Sequence, residues 1–282
     1  MQTEQNRNTF SFELFPPKTD KGFEKMQQTV KALQALSPAF FSVTYGAGGS
    51  TQQRTFDTVD WLCEEKIETA PHLSCIGSSK DEILEILDRY KDQGINRLVA
   101  LRGDLPSGVG LGGLGELGYA NQLVALIREH HGDYFHIEVA AYPEFHPQAV
   151  NAEKDLDFFK QKAEAGANSA ITQYFYNPDA YFRFVDDCLR LNIDIPIVPG
   201  IMPITNFVQL ARFSDGCGAE IPRWLRKRLE GYGEDIEAIR SYGAEVVSRL
   251  CERLLAGGAP GLHFYTMNQA APTQAIWTNL GL

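Results

Sequence analysis

The sequence predicts an α/β protein, a (β/α)8 TIM barrel with extra helices before its last strand. Eight short runs rich in β-branched and aromatic residues follow one another along the chain, and amphipathic helical runs lie between them. Alternation of this kind is typical of βαβ units and a parallel sheet. The length of 282 residues is close to that of one such barrel, so we expect residues 1–282 to form a single catalytic domain.

The eight predicted strands span nearly the whole chain. They are FSFELF (10–15), FFSVTY (40–45), APHLSCI (70–76), RLVALRG (97–103), IEVAAY (137–142), AITQYFY (170–176), IPIVPGI (195–201) and GLHFYTM (261–267). Between them, helical spacing of apolar residues is clearest at 23–36, 80–94 and 153–167. Residues 221–233 and 234–258 are expected to be the extra helices before the eighth strand.

One glycine-rich stretch, residues 107–118, has Gly108, Gly110 and Gly113 in the GxGxxG spacing of dinucleotide-binding motifs. No strand leads into it within a βαβ unit, and no helix opens at its last glycine, so the motif lacks its required context. We interpret this stretch as a loop that follows the fourth strand.

The composition excludes several classes of partner. The formal net charge is −10, which does not favour binding to nucleic acid or to anionic membrane surfaces. The first ten residues are polar and have no signal-peptide core, and no run of eighteen apolar residues occurs. The five cysteines are scattered, as expected of free thiols in a reducing compartment. These features predict a cytoplasmic protein.

A barrel of this kind has its active site at the carboxyl ends of its strands, and several polar residues fall there. They are Glu13, Thr44, Tyr45, His72, Ser74, Arg102, Asp104, Tyr142, Glu144, His146, Gln173, Tyr174, Tyr265 and Asn268. Glu13 alternates with Phe12 and Leu14 in an apolar strand. A carboxylate at such a position is either part of an ion pair or functional, because burying an unpaired charge is costly.

Three kinds of chemistry compete for this set of residues. A metal site is conceivable from His72, Asp104, Glu144 and His146, but no HxH or HExxH pair supports it. A Schiff-base aldolase needs a desolvated lysine at a strand end, and only Lys18 is near one. A bound organic cofactor with one carboxylic acid as proton donor fits the residues best. A metal-dependent hydrolase, an aldolase and a non-catalytic ligand-binding protein stay open as alternatives.

Several of these segments together carry a resemblance to a known family. They are FELFPPK (12–18), SVTYGAGGS (42–50), APHLSCI (70–76), VALRGDLP (99–106), VAAYPEFHP (139–147), AGANSAITQYFY (165–176), IPIVPGIMPITNF (195–207) and HFYTMN (263–268). In this combination and order, the sequence resembles the methylenetetrahydrofolate reductases in their bacterial single-domain form. No single segment would be sufficient for that conclusion.

The resemblance implies a reaction and its cofactor. Such enzymes bind FAD non-covalently, accept hydride from NADH or NADPH, and reduce methylenetetrahydrofolate to methyltetrahydrofolate for methionine synthesis. The two substrates react in turn, in ping-pong fashion, and the bacterial resemblance favours NADH. A homo-oligomer is also implied. A non-catalytic flavin- or folate-binding protein stays open as the alternative.

The resemblance also implies roles for individual residues. Glu13 matches the general acid, and Asp104 lies beside the flavin and the pterin. Gln173, Gln209, Phe213 and Tyr265 are expected to contact substrate, with Gln209 and Phe213 on a helix after the seventh strand. The expected flavin contacts are Thr44, Tyr45, Ala47, His72, Arg102, Gly103, Asp104, Ala120, Tyr142, His146, Ala149, Asp155 and Lys162.

Three positions depart from the family pattern. Phe158 and Gln161 stand where some relatives have Asn and Arg, close to Asp155 and Lys162 on the same predicted helix. Gln269 stands where some relatives have Arg after the HFYTxN strand. These departures concern the adenine end of the cofactor site and the glutamate tail of the folate.

Overall fold

In a computed structural model, which describes residues 8–46, 49–103 and 115–282 and only the backbone of residues 49 and 50, the chain forms a parallel barrel surrounded by helices. The strands of these described residues are β1 (Thr9–Leu14), β2 (Phe40–Val43), β3 (Thr69–Ser74), β4 (Arg97–Leu101), β5 (His136–Ala141), β6 (Ser169–Thr172), β7 (Ile197–Val198), β8 (Gly200–Ile201) and β9 (Gly261–Tyr265). All of their pairings are parallel, which confirms the predicted fold class.

Ten helices are described in the same ranges. They are α1 (Asp20–Gln34), α2 (Gly49–Glu64), α3 (Lys80–Asp92), α4 (Ala120–His131), α5 (Ala152–Glu164), α6 (Pro178–Arg190), α7 (Phe207–Cys217), α8 (Arg223–Gly231), α9 (Ile236–Ala256) and α10 (Ala270–Asn279). Local sequence explains where several begin: the Ser79 and Glu82 side chains form a capping box at α3, and Asn151 and Asn206 cap α5 and α7. The extra helices expected at 221–233 and 234–258, before the last strand, are confirmed as α8 and α9.

The seventh predicted strand, 195–201, differs from the expectation because it divides at Pro199. Its first part, β7, pairs with β6, and its second part, β8, pairs with β9. Pro199 has no amide hydrogen, but its carbonyl accepts a hydrogen bond from the His263 amide at 2.9 Å. The division therefore links the two ends of the sheet and closes the barrel.

Side chains alternate between two buried environments, as expected for strands covered on both faces. Outward-facing residues such as Phe12, Phe41 and Phe264 belong to the main core between sheet and helices. Phe40, Ala70, Val99 and Ile171 form a separate cluster, with Leu101 and Tyr265 packed against it. We interpret this second cluster as the filling of the barrel interior.

A polar layer closes the amino-terminal end of the interior. The buried Glu138 carboxylate pairs with Arg97, and it accepts a hydrogen bond from the Ser169 hydroxyl at 2.5 Å. The His136 Nε2 atom lies 2.7 Å from the same hydroxyl. Burial alone would raise the pKa of Glu138, but hydrogen bonds and the Arg97 charge outweigh it and lower that pKa. This end of the barrel is thus internally satisfied, which is typical of a stabilising face.

Candidate active site at the carboxyl rim

Because all strands run in the same direction, their carboxyl ends meet at one rim of the barrel. Glu13 lies near the end of β1, where it is in register with Ser42 on one side and Tyr265 on the other. Thr44 and Gln173 follow β2 and β6 directly, and His72 lies within β3. The structure therefore brings these sequence-predicted residues to the same end of the barrel.

Glu13 points into the interior, where it meets two histidines. Its Oε2 atom lies 3.4 Å from His72 Nε2 and 3.8 Å from His263 Nε2. The Glu13 side chain is 19% exposed, whereas His72 is 9% and His263 is 0% exposed. The carboxyl group therefore sits at the boundary between the filled interior and the open rim, where a ligand can reach it.

The protonation state of His72 follows from its surroundings. Burial lowers its pKa from 6.5 to about 4, although the nearby Glu13 charge acts in the opposite direction. His72 is therefore neutral near pH 7. Its Nε2 atom is buried without a hydrogen-bond partner, so it has unused hydrogen-bonding capacity next to Glu13.

This lowered pKa predicts acid sensitivity of the fold. In the unfolded chain His72 has the ordinary pKa of 6.5, so the unfolded chain binds this proton more strongly than the folded chain. The stability that neutral His72 contributes is therefore fully present above pH 6.5 and is lost as the pH falls towards 4. The free energy of unfolding is measured in urea at pH 7 and at pH 5. Between these two pH values we expect the wild type to lose roughly 2 kcal/mol more of this free energy than His72→Gln. Equal losses in the two proteins would contradict the assignment of a neutral, buried His72.

Sequence reasoning missed the buried polar residues beneath Glu13. The His263 Nδ1 atom lies 2.7 Å from the Ser11 hydroxyl, and its Nε2 atom lies 3.4 Å from the Ser42 hydroxyl. Ser11, Ser42 and His263 are each essentially inaccessible to solvent. The available signal was strand alternation, which places Ser11 on the same face as Glu13 and His263 on the same face as Tyr265.

The segment after β4 supplies a cation to the rim. Arg102 donates through Nη1 to Gln148 Oε1 at 2.8 Å, while its Nε atom is buried without a partner. Gly103 adopts a φ of +86°, and a Cβ atom there would lie 1.8 Å from the Ser74 hydroxyl oxygen. Glycine is therefore required to turn the chain next to Arg102. Asp104 and Ala47, also predicted at this site, lie outside the described residues, as does most of the stretch 107–118.

The segment after β2 is held by the first turns of α2. The Thr55 hydroxyl donates to the Thr44 carbonyl at 3.2 Å. Gln52 Nε2 donates to the Tyr45 hydroxyl at 2.7 Å, and burial raises the pKa of that tyrosine. The adjacent helix thus holds the backbone of Thr44 and the side chain of Tyr45.

A second group of predicted cofactor residues lies around β5 and α5. The rings of Tyr142 and His146 meet edge to face with centroids 4.6 Å apart, and the His146 amide donates to Asp155 at 3.1 Å. The Ala149 amide donates to the His146 carbonyl at 2.9 Å, which closes the turn. These contacts connect the loop after β5 to the first turn of α5.

Lys162 lies between α5 and β5 rather than in open solvent. Its ammonium group donates to the Ala140 carbonyl at 2.5 Å. Burial lowers the pKa of Lys162 to about 8, with the charge of Asp155 acting in the opposite direction. In this position the lysine adds positive charge beneath the site, and its expected contact with a cofactor stays a prediction.

The residues predicted to contact substrate lie directly after β6, on α7 and on β9. The Gln173 side-chain oxygen accepts from the Tyr174 amide at 3.0 Å, and the Tyr174 hydroxyl lies 3.0 Å from that of Ser214 on α7. Gln209 and Phe213 are one turn apart on the exposed face of α7. The link between β6 and α7 therefore positions this exposed face relative to the rim.

Tyr265 crosses the interior from β9 to β6. Its hydroxyl donates to the Thr172 carbonyl at 2.7 Å, and its ring lies against the backbone at Gly200. Burial raises the pKa of this hydroxyl well above its usual range, so it stays protonated. The ring thus forms part of the floor next to Glu13.

Two cavities at the periphery of the rim are also described. One, of about 340 Å³, lies between the amino-terminal halves of α9 and α10 and includes Arg240 and Gln269. The other, of about 360 Å³, lies between α5 and α6 and includes Tyr142 and Asp155. Neither cavity includes Glu13 or His72, which lie at the mouth of the barrel.

The described ranges contain neither a membrane-spanning helix nor a cluster of metal ligands. None of the helices there combines the length and the apolar character that crossing a membrane requires. Nor do three His, Cys, Asp or Glu side chains in those ranges converge as metal ligands.

The carboxyl rim of this parallel β/α barrel presents a carboxyl group, a neutral histidine and a guanidinium group. These features define the class of the protein, a β/α barrel that binds a small molecule at this rim. A family model described as methylenetetrahydrofolate reductase matches residues 1–281. The chain belongs to the methylenetetrahydrofolate reductase family.

Individual relatives agree with this family over nearly the whole chain. The 5,10-methylenetetrahydrofolate reductase of Pectobacterium carotovorum subsp. carotovorum is 42% identical over 279 residues, which is 99% of this chain and 92% of the relative. That of Escherichia coli K12 is 40% identical with the same coverage. The Arabidopsis thaliana protein named methylenetetrahydrofolate reductase (NADH) 1 is 39% identical over 99% of this chain and 49% of its own length.

Among solved structures, a protein from Clostridium thermocellum is similar in fold. It superposes with a TM-score of 0.68 at 17% identity, over 98% of this chain and 96% of that protein. Its description states that it binds two copies of 5-methyl-5,6,7,8-tetrahydrofolic acid. At this level of identity the similarity supports the barrel fold alone.

Proposed function

We propose that this protein reduces 5,10-methylenetetrahydrofolate to 5-methyltetrahydrofolate with non-covalent FAD as cofactor and NAD(P)H as hydride donor. The observation that carries the proposal is the carboxyl group of Glu13 at the barrel mouth, 3.4 Å from a neutral His72. Family membership and the names of the bacterial relatives support the substrate. A ping-pong order, supply of methionine synthesis, a cytoplasmic location and a homo-oligomer belong to the same proposal.

The substrate's chemistry explains why a carboxylic acid is needed. Its methylene carbon bridges two nitrogens in a closed ring, and that ring must open before the carbon can accept hydride. Opening requires a proton on the departing nitrogen, and hence a general acid within reach. Glu13 is in part exposed to the rim, and neutral His72 does not hold it in an ion pair. The carboxyl group is therefore available for proton transfer.

The residues at the rim fit a flavin dinucleotide. The unpartnered Nε of Arg102 suits an anionic or carbonyl oxygen, and the unpartnered Nε2 of His72 can bond to a ring heteroatom. Lys162 adds a buried positive charge near β5. When bound, FAD would supply the capacity to receive a hydride from one substrate and release it to the other. Asp104 and Ala47 are proposed to contact it on the basis of sequence alone.

The direct test is anaerobic stopped-flow absorbance of the purified protein. We expect a yellow protein whose flavin is bleached by NADH, and more slowly by NADPH, and whose colour returns on adding methylenetetrahydrofolate. The name of the Arabidopsis relative supports NADH as the preferred donor. A colourless protein that binds a metal ion would contradict the proposal in favour of another barrel enzyme. A yellow protein that neither nucleotide bleaches would instead indicate flavin binding without this activity.

A further inference from the structure

The backbone just beyond β1 is held by a side chain instead of a neighbouring strand. The pairing of β1 with β9 ends at Glu13 and Tyr265, and the two prolines that follow Phe15 have no amide hydrogen to donate to a further strand. At this point Asn268 Oδ1 accepts from the Phe15 amide at 3.1 Å, and Asn268 Nδ2 donates to the Phe15 carbonyl at 2.8 Å. These two hydrogen bonds form the Asn268 clamp, which pairs with Phe15 as a peptide group would.

Asn268 is itself fixed by its surroundings. It is buried, and its carbonyl accepts a hydrogen bond from the Thr29 hydroxyl of α1 at 3.1 Å. Its amide donates to the Thr266 hydroxyl at 3.2 Å, and that hydroxyl donates in turn to the Glu13 carbonyl at 2.6 Å. Met267 and Asn268 both have left-handed backbone conformations, with φ of +51° and +52°. Methionine is strained in this conformation, so the contacts around the turn must hold it in place.

The same contacts determine where the Glu13 carboxyl group lies. Thr266 binds the backbone of Glu13 directly, and the Asn268 clamp binds the backbone two residues later. A general acid must come within about 3.2 Å of the atom that it protonates, so a small movement of its backbone is sufficient to remove it from that range. The turn after β9 therefore controls the geometry of the proposed acid.

We propose that Asn268 is a positioning residue, whose clamp on Phe15 holds the Glu13 carboxyl group where it can protonate the substrate. This inference rests on the function proposed above. Asn268 acts through Glu13 and does not itself supply a proton. Its loss should therefore affect only the half-reaction that needs the acid, and only while Glu13 is present.

The test uses Asn268→Gly in the full chain. Glycine adopts the left-handed conformation without strain, so this substitution removes both bonds to Phe15 but still permits the turn. We expect reduction of methylenetetrahydrofolate at saturating substrate to slow about 10- to 100-fold, as for an acid displaced by up to about 1 Å. Bleaching of the flavin by NADH should continue at a near-normal rate.

Asn192→Gly is the matched control. Asn192 has a similar conformation, with φ of +58°, but it lies between α6 and β7 at the amino end of the barrel. The same substitution there should change neither half-reaction. Hydrogen exchange of the Phe15 amide, followed by NMR, tests the clamp without any activity. Exchange should be slow in the wild type and in Asn192→Gly, and fast in Asn268→Gly; fast exchange in the wild type would contradict the clamp.

A double variant separates positioning from a purely structural role. In Glu13→Gln, the further change Asn268→Gly should cause no additional slowing of the folate half-reaction, because the acid that it positions is already absent. Thr266→Val keeps the shape of the side chain but removes the bond to the Glu13 carbonyl, so it should slow the same half-reaction. It also tests the proposal independently if Asn268→Gly does not fold.

Three results would overturn the positioning role while the proposed function stands. They are equal slowing of both half-reactions by Asn268→Gly, the same slowing with and without Glu13, and an unchanged folate half-reaction in both Asn268→Gly and Thr266→Val. A wild-type chain with a protected Phe15 amide that does not reduce methylenetetrahydrofolate would instead overturn the proposed function, and the positioning role with it.

Discussion

Glu13→Gln is expected to slow reduction of methylenetetrahydrofolate by about 10²–10⁴-fold, the usual effect of losing a general acid. The amide keeps the size of the side chain but cannot donate a proton of the required acidity to the departing nitrogen. Transfer of hydride from NADH to the flavin needs no such donor, so it should continue at a near-normal rate. The two half-reactions are measured separately by anaerobic stopped-flow absorbance.

Glu144→Gln is a suitable control for this experiment. Glu144 is also a partly buried carboxyl group that follows a strand, but it lies in the cavity between α5 and α6, where it accepts a hydrogen bond from the Glu220 amide at 2.8 Å. Neither half-reaction should change much in this variant. If Glu13→Gln slows both half-reactions equally, Glu13 is structural or binds nicotinamide. If it slows neither, another group is the acid.

Gly200→Ala is expected to destabilise the barrel by about 3 kcal/mol or more, at the upper end of the range for overpacking. A Cβ atom at this position would lie 2.1 Å from the Thr172 carbonyl oxygen and 2.6 Å from the Tyr265 ring. These neighbours cannot separate freely, because the Tyr265 hydroxyl donates to that same carbonyl. Urea unfolding followed by circular dichroism gives the difference in free energy.

Gly231→Ala is the matched control for the close approach at Gly200. Gly231 ends α8, and a Cβ atom there would meet nothing within 4 Å. This substitution should be neutral or stabilise the protein by up to about 1 kcal/mol. Similar free energies of unfolding for the two variants would show that Thr172 and Tyr265 can move away from residue 200 at little cost.

The periodicity of apolar residues was sufficient to predict the barrel and most of its elements. Helical spacing and strand-like runs are local properties, so residues 80–94 and 153–167 could be recognised without knowledge of their neighbours, and they correspond to α3 and α5. Their carboxyl ends were placed two or three residues too late. The reason is that Gln93 and Ala165 end these helices through cap hydrogen bonds that apolar spacing does not report.

The alternation of Phe12, Glu13 and Leu14 likewise identified Glu13 as a carboxyl group in an apolar strand, and the direction of parallel strands placed it at the rim. Its surroundings were decided only by tertiary structure. Ser11 and Ser42 are 252 and 221 residues from His263 along the chain, so no local pattern reports their contacts. The neutrality of His72 has the same origin, because burial by distant strands lowers its pKa.

By itself, therefore, the sequence determined that this chain forms a parallel β/α barrel with a candidate acid at its carboxyl rim. Tertiary structure decided how the barrel closes, since Pro199 and Gly200 divide one predicted strand between partners on β6 and β9. It also decided that Lys162 donates to the Ala140 carbonyl and that Tyr119 stacks with Phe158. The physical reason is the same for all three. Close packing and hydrogen bonding between distant segments depend on which strands and helices become neighbours in the fold. The periodicity of strands and helices does not contain that information.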